Sequence, residues 1–310
     1  MSRTAAVVLH DLHHDHAGER ALRGISLSVE EGRLFGFVGA DGAGKSTLFS
    51  ILATLRVPQR GSLSLLGTDA LANPSALRPK LGYMPQRFSL YADLSVRENL
   101  EFACDIVGLR GEAARGVRDE LVSFSRLESA LERPAGKLSG GMKQKLALCC
   151  ALVRSPRLLL LDEPTVGVDP VTRVDFWEML ARLRDRGTTI LVSTPYMDEA
   201  DRCDEVALMH EGEILEQGSP AELAARLPGD LWSLEGDRTL SVRHDASPPA
   251  PLLALYSTGG TLRALAPFGT SPEAVLSAVK SSGHDVLRLS PERPRVEDVL
   301  LRAMLGRQAA

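Results

Sequence analysis

The chain has 310 residues, enough for two domains, with 44% hydrophobic and 25% charged residues, close to globular averages. That excludes disordered, collagen-like and disulfide-stapled classes. Its 36 basic and 40 acidic residues leave a net charge of −4, too weak a field to make nucleic acid or anionic lipid a principal partner.

The N-terminal residues lead through a short apolar patch into His10-Asp11-Leu12-His13-His14-Asp15-His16, with no cleavable apolar segment, so export by a signal peptide is not expected. Leu34 to Val38 reads as a buried strand, and Gly39-Ala40-Asp41-Gly42-Ala43-Gly44-Lys45-Ser46-Thr47 follows it directly, ahead of a helical run starting at Thr47. This is the phosphate-loop pattern in its proper context. Glycines let backbone amides turn inward around a polyphosphate, the helix N-terminus adds favourable potential, Lys45 supplies a mobile cation and Ser46 a hydroxyl for Mg²⁺.

From about residue 87 to 155 the period becomes helical, a helical insert in an α/β body; Ser95 with Glu98 three residues on is a capping box. Leu138-Ser139-Gly140-Gly141-Met142-Lys143-Gln144-Lys145 is a Gly-Gly turn before a helix from Lys143 through Val153, another helix N-terminus with free amides. The longest apolar stretch, Leu146 to Val153, is far shorter than the roughly 18 residues a membrane span needs. Cys104, Cys149, Cys150 and Cys203 show no Cys-x-x-Cys spacing and read as reduced core residues.

A second buried strand, Leu158 to Leu161, ends in Asp162-Glu163, two acids where open α/β sheets bind ligands; there Asp162 can hold Mg²⁺ through its water shell and Glu163 can polarise a water. Ile190 to Ser193 is a third strand. The composition shifts near Gly218-Ser219-Pro220: nine of the 18 prolines fall in the last 91 residues, where strands such as Thr239 to Val242 and Leu262 to Leu265 alternate with helices opening near Pro272 and running from Val296 to Leu305. The expectation is a small α+β domain over 220–310 behind an α/β domain over 1–219.

Four ordered motifs carry a family likeness: the phosphate loop, Gln86 in Tyr83-Met84-Pro85-Gln86, the Ser139-Gly140-Gly141 turn, and Asp162-Glu163. Together they resemble the ATP-binding cassette (ABC) ATPases over residues 5 to 220, and Pro294-Arg295-Val296-Glu297-Asp298-Val299-Leu300 looks like the closing motif of drug-resistance exporters. The resemblance implies a phosphate-loop NTPase fold and an ATPase subunit, cytoplasmic and peripheral on the inner face of the membrane. It would drive separate membrane-spanning permease subunits, with no nucleic-acid partner.

It further implies a head-to-tail pair with an identical or different ATPase subunit, each ATP held between the phosphate loop of one and the Ser139-Gly140-Gly141 turn of the other, with Asp169 reaching across the interface. Residues 39–47 then hold ATP, Ser46, Gln86 and Asp162 surround Mg²⁺, and Glu163 is the base, with Gln86 also part of the catalytic set.

Two positions depart from the family. Pro195 stands where a switch histidine contacts the γ-phosphate, and proline offers no donor. Either Pro195 caps the turn into the next helix while Thr194 or a water takes over, or the site binds ATP and cleaves it slowly. His16 stands where an aromatic residue usually stacks on adenine; imidazole can stack, and a competing reading makes His10, His13, His14 and His16 a metal cluster. Met142 replaces a common glutamine, a milder change because the backbone amides of Gly140 and Gly141 carry the phosphate contact. A module that binds ATP with little turnover and regulates its partner is the alternative function.

Overall fold

A computed structural model describes residues 4–16, 18–87, 90–236, 248–258, 261–283 and 286–308. The chain divides into two compact units, 1–214 and 215–310. In the first, β1 (Ala5–His16) and β2 (Glu19–Glu30) form an antiparallel hairpin. Leu22, Ile25, Leu27 and Val29 of β2 face the core while Arg23, Ser26 and Ser28 face solvent, the alternation of a sheet wet on one side. The histidine-rich stretch lies in β1: Leu12 to His16 pair with β2, and His10 and His13 pair with β4, with register shifts on either side of Leu12.

Next come β3 (Leu34–Val38) and α1 (Lys45–Leu52), then β4 (Arg60–Leu65), β5 (Thr68–Asp69), the single turn α2 (Pro74–Leu77) and β6 (Leu81–Met84). The helical insert follows as α3 (Val96–Ile106), α4 (Gly111–Ser125) and α5 (Gly140–Leu152). The expected capping box opens α3: Ser95 Oγ accepts from Glu98 N while a Glu98 carboxylate oxygen accepts from Ser95 N. The last insert helix starts three residues earlier than its apolar pattern indicates, because Ser139 caps it and Gly140 and Gly141 already turn helically. The body is completed by β7 (Leu158–Asp162), α6 (Pro170–Asp185), β8 (Thr189–Thr194), α7 (Met197–Ala200), β9 (Glu205–His210) and β10 (Glu213–Gly218).

Two sheets result. One is β2-β1-β4-β5; the other is β10-β9-β3-β8-β7-β6, in which the run from β9 to β6 is parallel. Every residue of β3, β7 and β8 is buried, which is why these strands read as unbroken runs without alternation. The core beside β3 is tied by Phe37, whose ring lies 5.1 Å from that of Phe35 and 5.6 Å, edge-on, from that of Phe49 in α1. Cys104, Cys149 and Cys203 are buried free thiols, and burial pushes that of Cys149 up to about 12.

The second unit holds α8 (Pro220–Ala225), β11 (Gly229–Gly236), β12 (Ala254–Thr258), β13 (Thr261–Pro267), α9 (Pro272–Ser281), β14 (Val286–Glu292) and α10 (Val296–Gln308). Its antiparallel sheet has the order β12-β13-β11-β14, and α9 packs on β13 and β14. The strand read at Leu262–Leu265 is β13, and that read at Thr239–Val242 lies outside the described residues.

An ion pair anchors α10. Asp298, wholly buried, takes Arg263 Nη1 on both carboxylate oxygens at 2.7 and 3.0 Å, the Tyr256 hydroxyl at 2.9 Å and the Arg295 amide at 2.8 Å. Burial and the adjacent carboxylate raise the Tyr256 pKa. Removing one partner of such a pair leaves an uncompensated buried charge. Asp298→Ala is expected to destabilise the 215–310 unit by about 3–5 kcal/mol, read as an early transition in denaturant unfolding of the full chain; a coincident, unshifted transition would refute it.

Candidate functional site

The loop between β3 and α1 is shaped by close backbone approaches. Gly44, the N-cap of α1, has φ 96°, and a Cβ there would lie 2.3 Å from the carbonyl oxygen of Ala21 in β2. Only glycine fits both the left-handed backbone and the contact. The Gly39 amide is tied to the carbonyl of Thr194 at the end of β8 (3.2 Å), so the loop starts from a fixed strand end.

Lys45 folds back under the loop. Its ammonium is almost fully buried and donates to the carbonyls of Gly39 (2.8 Å) and Ala40 (3.0 Å), while standing 3.1 Å from Glu163 Oε1. Gln86 Nε2 donates to the other Glu163 oxygen at 2.6 Å. Asp162 Oδ1 accepts from Ser46 Oγ at 3.2 Å and from Ser193 Oγ at 2.6 Å. The Glu163 backbone, at φ 50°, is held by its amide donating to Ser193 O and Oγ at 3.1 and 2.9 Å. Thus Lys45, Ser46, Gln86, Asp162 and Glu163, spread over 119 positions of sequence, form one bonded cluster at the carboxyl ends of β3 and β7.

The cavity over this cluster has a volume of about 320 Å³ and is lined by Asp41, Gly42, Gly44, Lys45, Ser46, Thr47, Gln86 and Glu163, with Arg20 and Ala21 from β2. The size suits a small ligand. Arg20 escaped the sequence reading because nothing local marks it; the signal is its place opposite Asp15 near the end of the hairpin. Ser193 also escaped, although a hydroxyl ending an apolar run beside the acid-bearing strand is a readable sign.

Ser139, Gly140, Gly141 and Asp169 do not line that cavity. They form a second cluster: Ser139 Oγ accepts from Met142 N (3.3 Å), Asp169 caps α6 by accepting from Thr172 N (2.9 Å), and Thr172 packs on Gly141, where a Cβ would fall 2.1 Å from its methyl. Val166, Val171 and Val174 lie exposed on and around the same loop. The His16 side chain lies outside the described residues; in the same strand His13 bonds Asp11 (2.8 Å).

Pro195 does not occupy the first helical position. Tyr196 is the N-cap of α7, so Pro195 precedes the cap. Nor is Thr194 free to replace a histidine, since its hydroxyl donates to buried Glu199 and accepts from Tyr196 N at 3.0 Å; Thr165 satisfies the other Glu199 oxygen at 2.7 Å.

A parallel sheet whose central strand runs through a phosphate loop into a helix, with two acids on a nearby strand end, defines the phosphate-loop NTPase class of fold. Residues 22–166 match the family model described as ABC transporter. Over 290 residues, 92% of its length, the chain is 40% identical to the probable multidrug ABC transporter ATP-binding protein YbhF of Escherichia coli K12, of which it spans 49%. It is 37% identical to the Nod factor export ATP-binding protein I of Burkholderia pseudomallei, covering 92% of each. Among solved structures, cbiO1 of Clostridium perfringens, part of the cbiONQ ABC transporter complex, superposes with a TM-score of 0.66 at 28% identity over 72% of this chain and 91% of that one. The chain belongs to the ABC transporter family, among its ATP-binding proteins.

The Asp162 carboxyl sits above its ordinary value, first because it is buried and further because Glu163 is beside it; the Ser193 and Ser46 hydroxyls and Lys45 oppose the shift. A raised carboxyl pKa means that folding disfavours the charged form, a cost absent below about 3.8, where the group is protonated folded and unfolded, and complete above the raised value. Asp162→Asn keeps the acceptor for both serines and removes the charge. It is expected to raise the melting temperature at pH 7, the gain fading as pH falls toward 4; a lowered melting temperature at pH 7 would contradict this account.

Proposed function

We propose that this chain is the ATP-hydrolysing subunit of an ABC exporter, in which ATP binding closes a pair of subunits and hydrolysis reopens them, driving transport through separate membrane-spanning subunits. The observation that carries this reading is the Lys45–Glu163–Gln86 cluster. One cation holds the loop carbonyls and the proposed base together, beneath a cavity of nucleotide-binding type. Residues 1–219 would be the ATP-binding domain, with a helical subdomain over about 87–155, and 220–310 an accessory α+β domain. No helix among the described residues is long and apolar enough to cross a membrane, and the proposed place is the cytoplasmic face, bound to permease subunits.

On this reading the amides of residues 39–47 surround the polyphosphate and Lys45 moves from Glu163 to its oxygens, the stronger anion taking the ammonium. Glu163, released, accepts the proton of the attacking water, which Gln86 orients. Ser46, Asp162 and the Gln86 carbonyl offer hard oxygen donors of the type Mg²⁺ selects, and the buried carboxylate between two hydroxyls fits such an ion. The metal, when bound, neutralises charge developing on the transferred phosphoryl group. Because Ser139, Gly140, Gly141 and Asp169 cluster away from this chain's own cavity, their proposed nucleotide is the one bound by a second subunit, identical or different, with the exposed valines of the Asp169 loop facing it.

The competing reading, an ATP-clamped module with little turnover, draws on Pro195, which brings no donor, and on Thr194, whose hydroxyl is engaged elsewhere. The retained Glu163, its amide held by the carbonyl and the hydroxyl of Ser193, favours the enzyme.

Two variants test this. Glu163→Gln should lower ATP turnover about 10²–10⁴-fold and accumulate an ATP-bound dimer in size-exclusion chromatography; unchanged turnover would remove Glu163 as the base. Pro195→His should raise steady-state phosphate release if the absent donor limits hydrolysis, whereas an unchanged rate would place the limit elsewhere.

A further inference from the structure

Ser193, next to last in β8, is fully buried and does not line the cavity over the phosphate loop. Its hydroxyl donates to Asp162 Oδ1 at 2.6 Å and accepts from the Glu163 amide at 2.9 Å. Among the described residues it is the one side chain hydrogen-bonded to both acids. The Glu163 amide has a second acceptor in the Ser193 carbonyl at 3.1 Å, so that amide is paired even without the hydroxyl. What the hydroxyl alone supplies is the link between the Glu163 backbone and the Asp162 carboxylate. The other bonds on the two acids are exchangeable. On the reading above, Lys45 leaves Glu163 for the polyphosphate and Ser46 offers its oxygen to Mg²⁺, so each acid loses a group that holds it. Ser193 faces neither ligand and keeps both its bonds. Glu163 needs such a hold, because its backbone lies at φ 50°, a region that residues other than glycine rarely adopt.

We propose that Ser193 is a positioning residue for ATP hydrolysis, its hydroxyl fixing the spacing between the Asp162 carboxylate and the backbone that carries the base, Glu163. This rests on the ATPase reading above and adds to it a residue that touches neither nucleotide nor metal. The 2.6 Å bond has the length of a hydroxyl donating to an ionised carboxylate, a strong and directional contact. It holds Oδ1, whereas Oδ2 accepts no hydrogen bond among the described residues and remains for the metal's waters. Groups that orient a metal's ligands in this way govern its affinity without contacting it. One hydroxyl thereby sets where Asp162 and Glu163 stand relative to each other once the ligand has taken Lys45 and Ser46.

The test uses the full chain, with ATP for turnover and a non-hydrolysable analogue, adenylyl imidodiphosphate, for binding in EDTA and in Mn²⁺. Ser193→Ala should lower kcat about ten- to thirtyfold, the effect of losing one hydrogen bond to a charged group, with KM for ATP within about twofold of the parent chain. The affinity that the analogue gains on addition of Mn²⁺ should shrink about tenfold, while its affinity in EDTA stays unchanged. A side chain needed only for packing would weaken the analogue equally in EDTA and in Mn²⁺. That result, or an unchanged kcat with an unchanged metal gain, would overturn the proposal. A parent chain that binds the analogue in neither medium would overturn the ATPase reading itself.

Discussion

The buried ammonium of Lys45 is the constraint on which the site is built. A charge removed from water needs close acceptors or it costs several kcal/mol, and Lys45 finds three: two carbonyls of its own loop and the carboxylate of Glu163. To turn those carbonyls inward the loop must wrap, and to wrap it needs Gly44 in the left-handed region, pressed against Ala21. The same loop begins at an amide bonded to Thr194, so β2, β3 and β8 are all tied to the position of one side chain. The arrangement is stable by itself yet exchangeable. Under the proposed function, a polyphosphate entering the cavity would compete with Glu163 for Lys45, and ligand binding would then also release the proposed base.

What the sequence disclosed were the features encoded over short distances. A five-residue apolar run into the phosphate-loop glycines, four leucines into two acids, and Ser95 with Glu98 each carry their structural meaning within a dozen residues, and each stands where its pattern placed it. The hairpin of β1 and β2 was less legible. Positive φ at Asp11 and register shifts around Leu12 break the period of two, and the intervening histidines disguise a paired strand as a polar segment. Contacts made by folding were illegible altogether: Arg263 and Asp298 are 35 positions apart, Ser193 and Asp162 are 31, and neither pair is written in any motif.

The two clusters differ in what they demand of a partner. The first is closed: each of Lys45, Gln86, Asp162 and Glu163 meets a bond within the chain. The second is a packed platform, with Gly141 seated on Thr172 and Asp169 capping the helix that carries it, so the Ser139 turn and the Asp169 loop are joined by direct contact. In the proposed pairing, its helix N-termini bordered by exposed valines would face an anion framed by an apolar rim. Under the proposed pairing, both elements would engage or leave a second subunit's nucleotide in concert.

The departure at Pro195 is best weighed against what surrounds it. Glu199, buried and satisfied by Thr165 and Thr194, holds the last residue of β8, and Ser193, next to it in the strand, bonds both Asp162 and the Glu163 amide. A proline inside this frame removes one donor, yet its restricted φ adds to the rigidity with which Ser193 and Thr194 are presented. On the proposed function, this strand end would orient the two acids without itself contacting phosphate through residue 195. Loss of a phosphate donor acts on charge stabilisation, whereas a well-held Glu163 acts on the water, and these are separate contributions to the barrier. A site with the second and without the first should hydrolyse slowly without being inert, which reconciles an intact acid pair with a missing histidine.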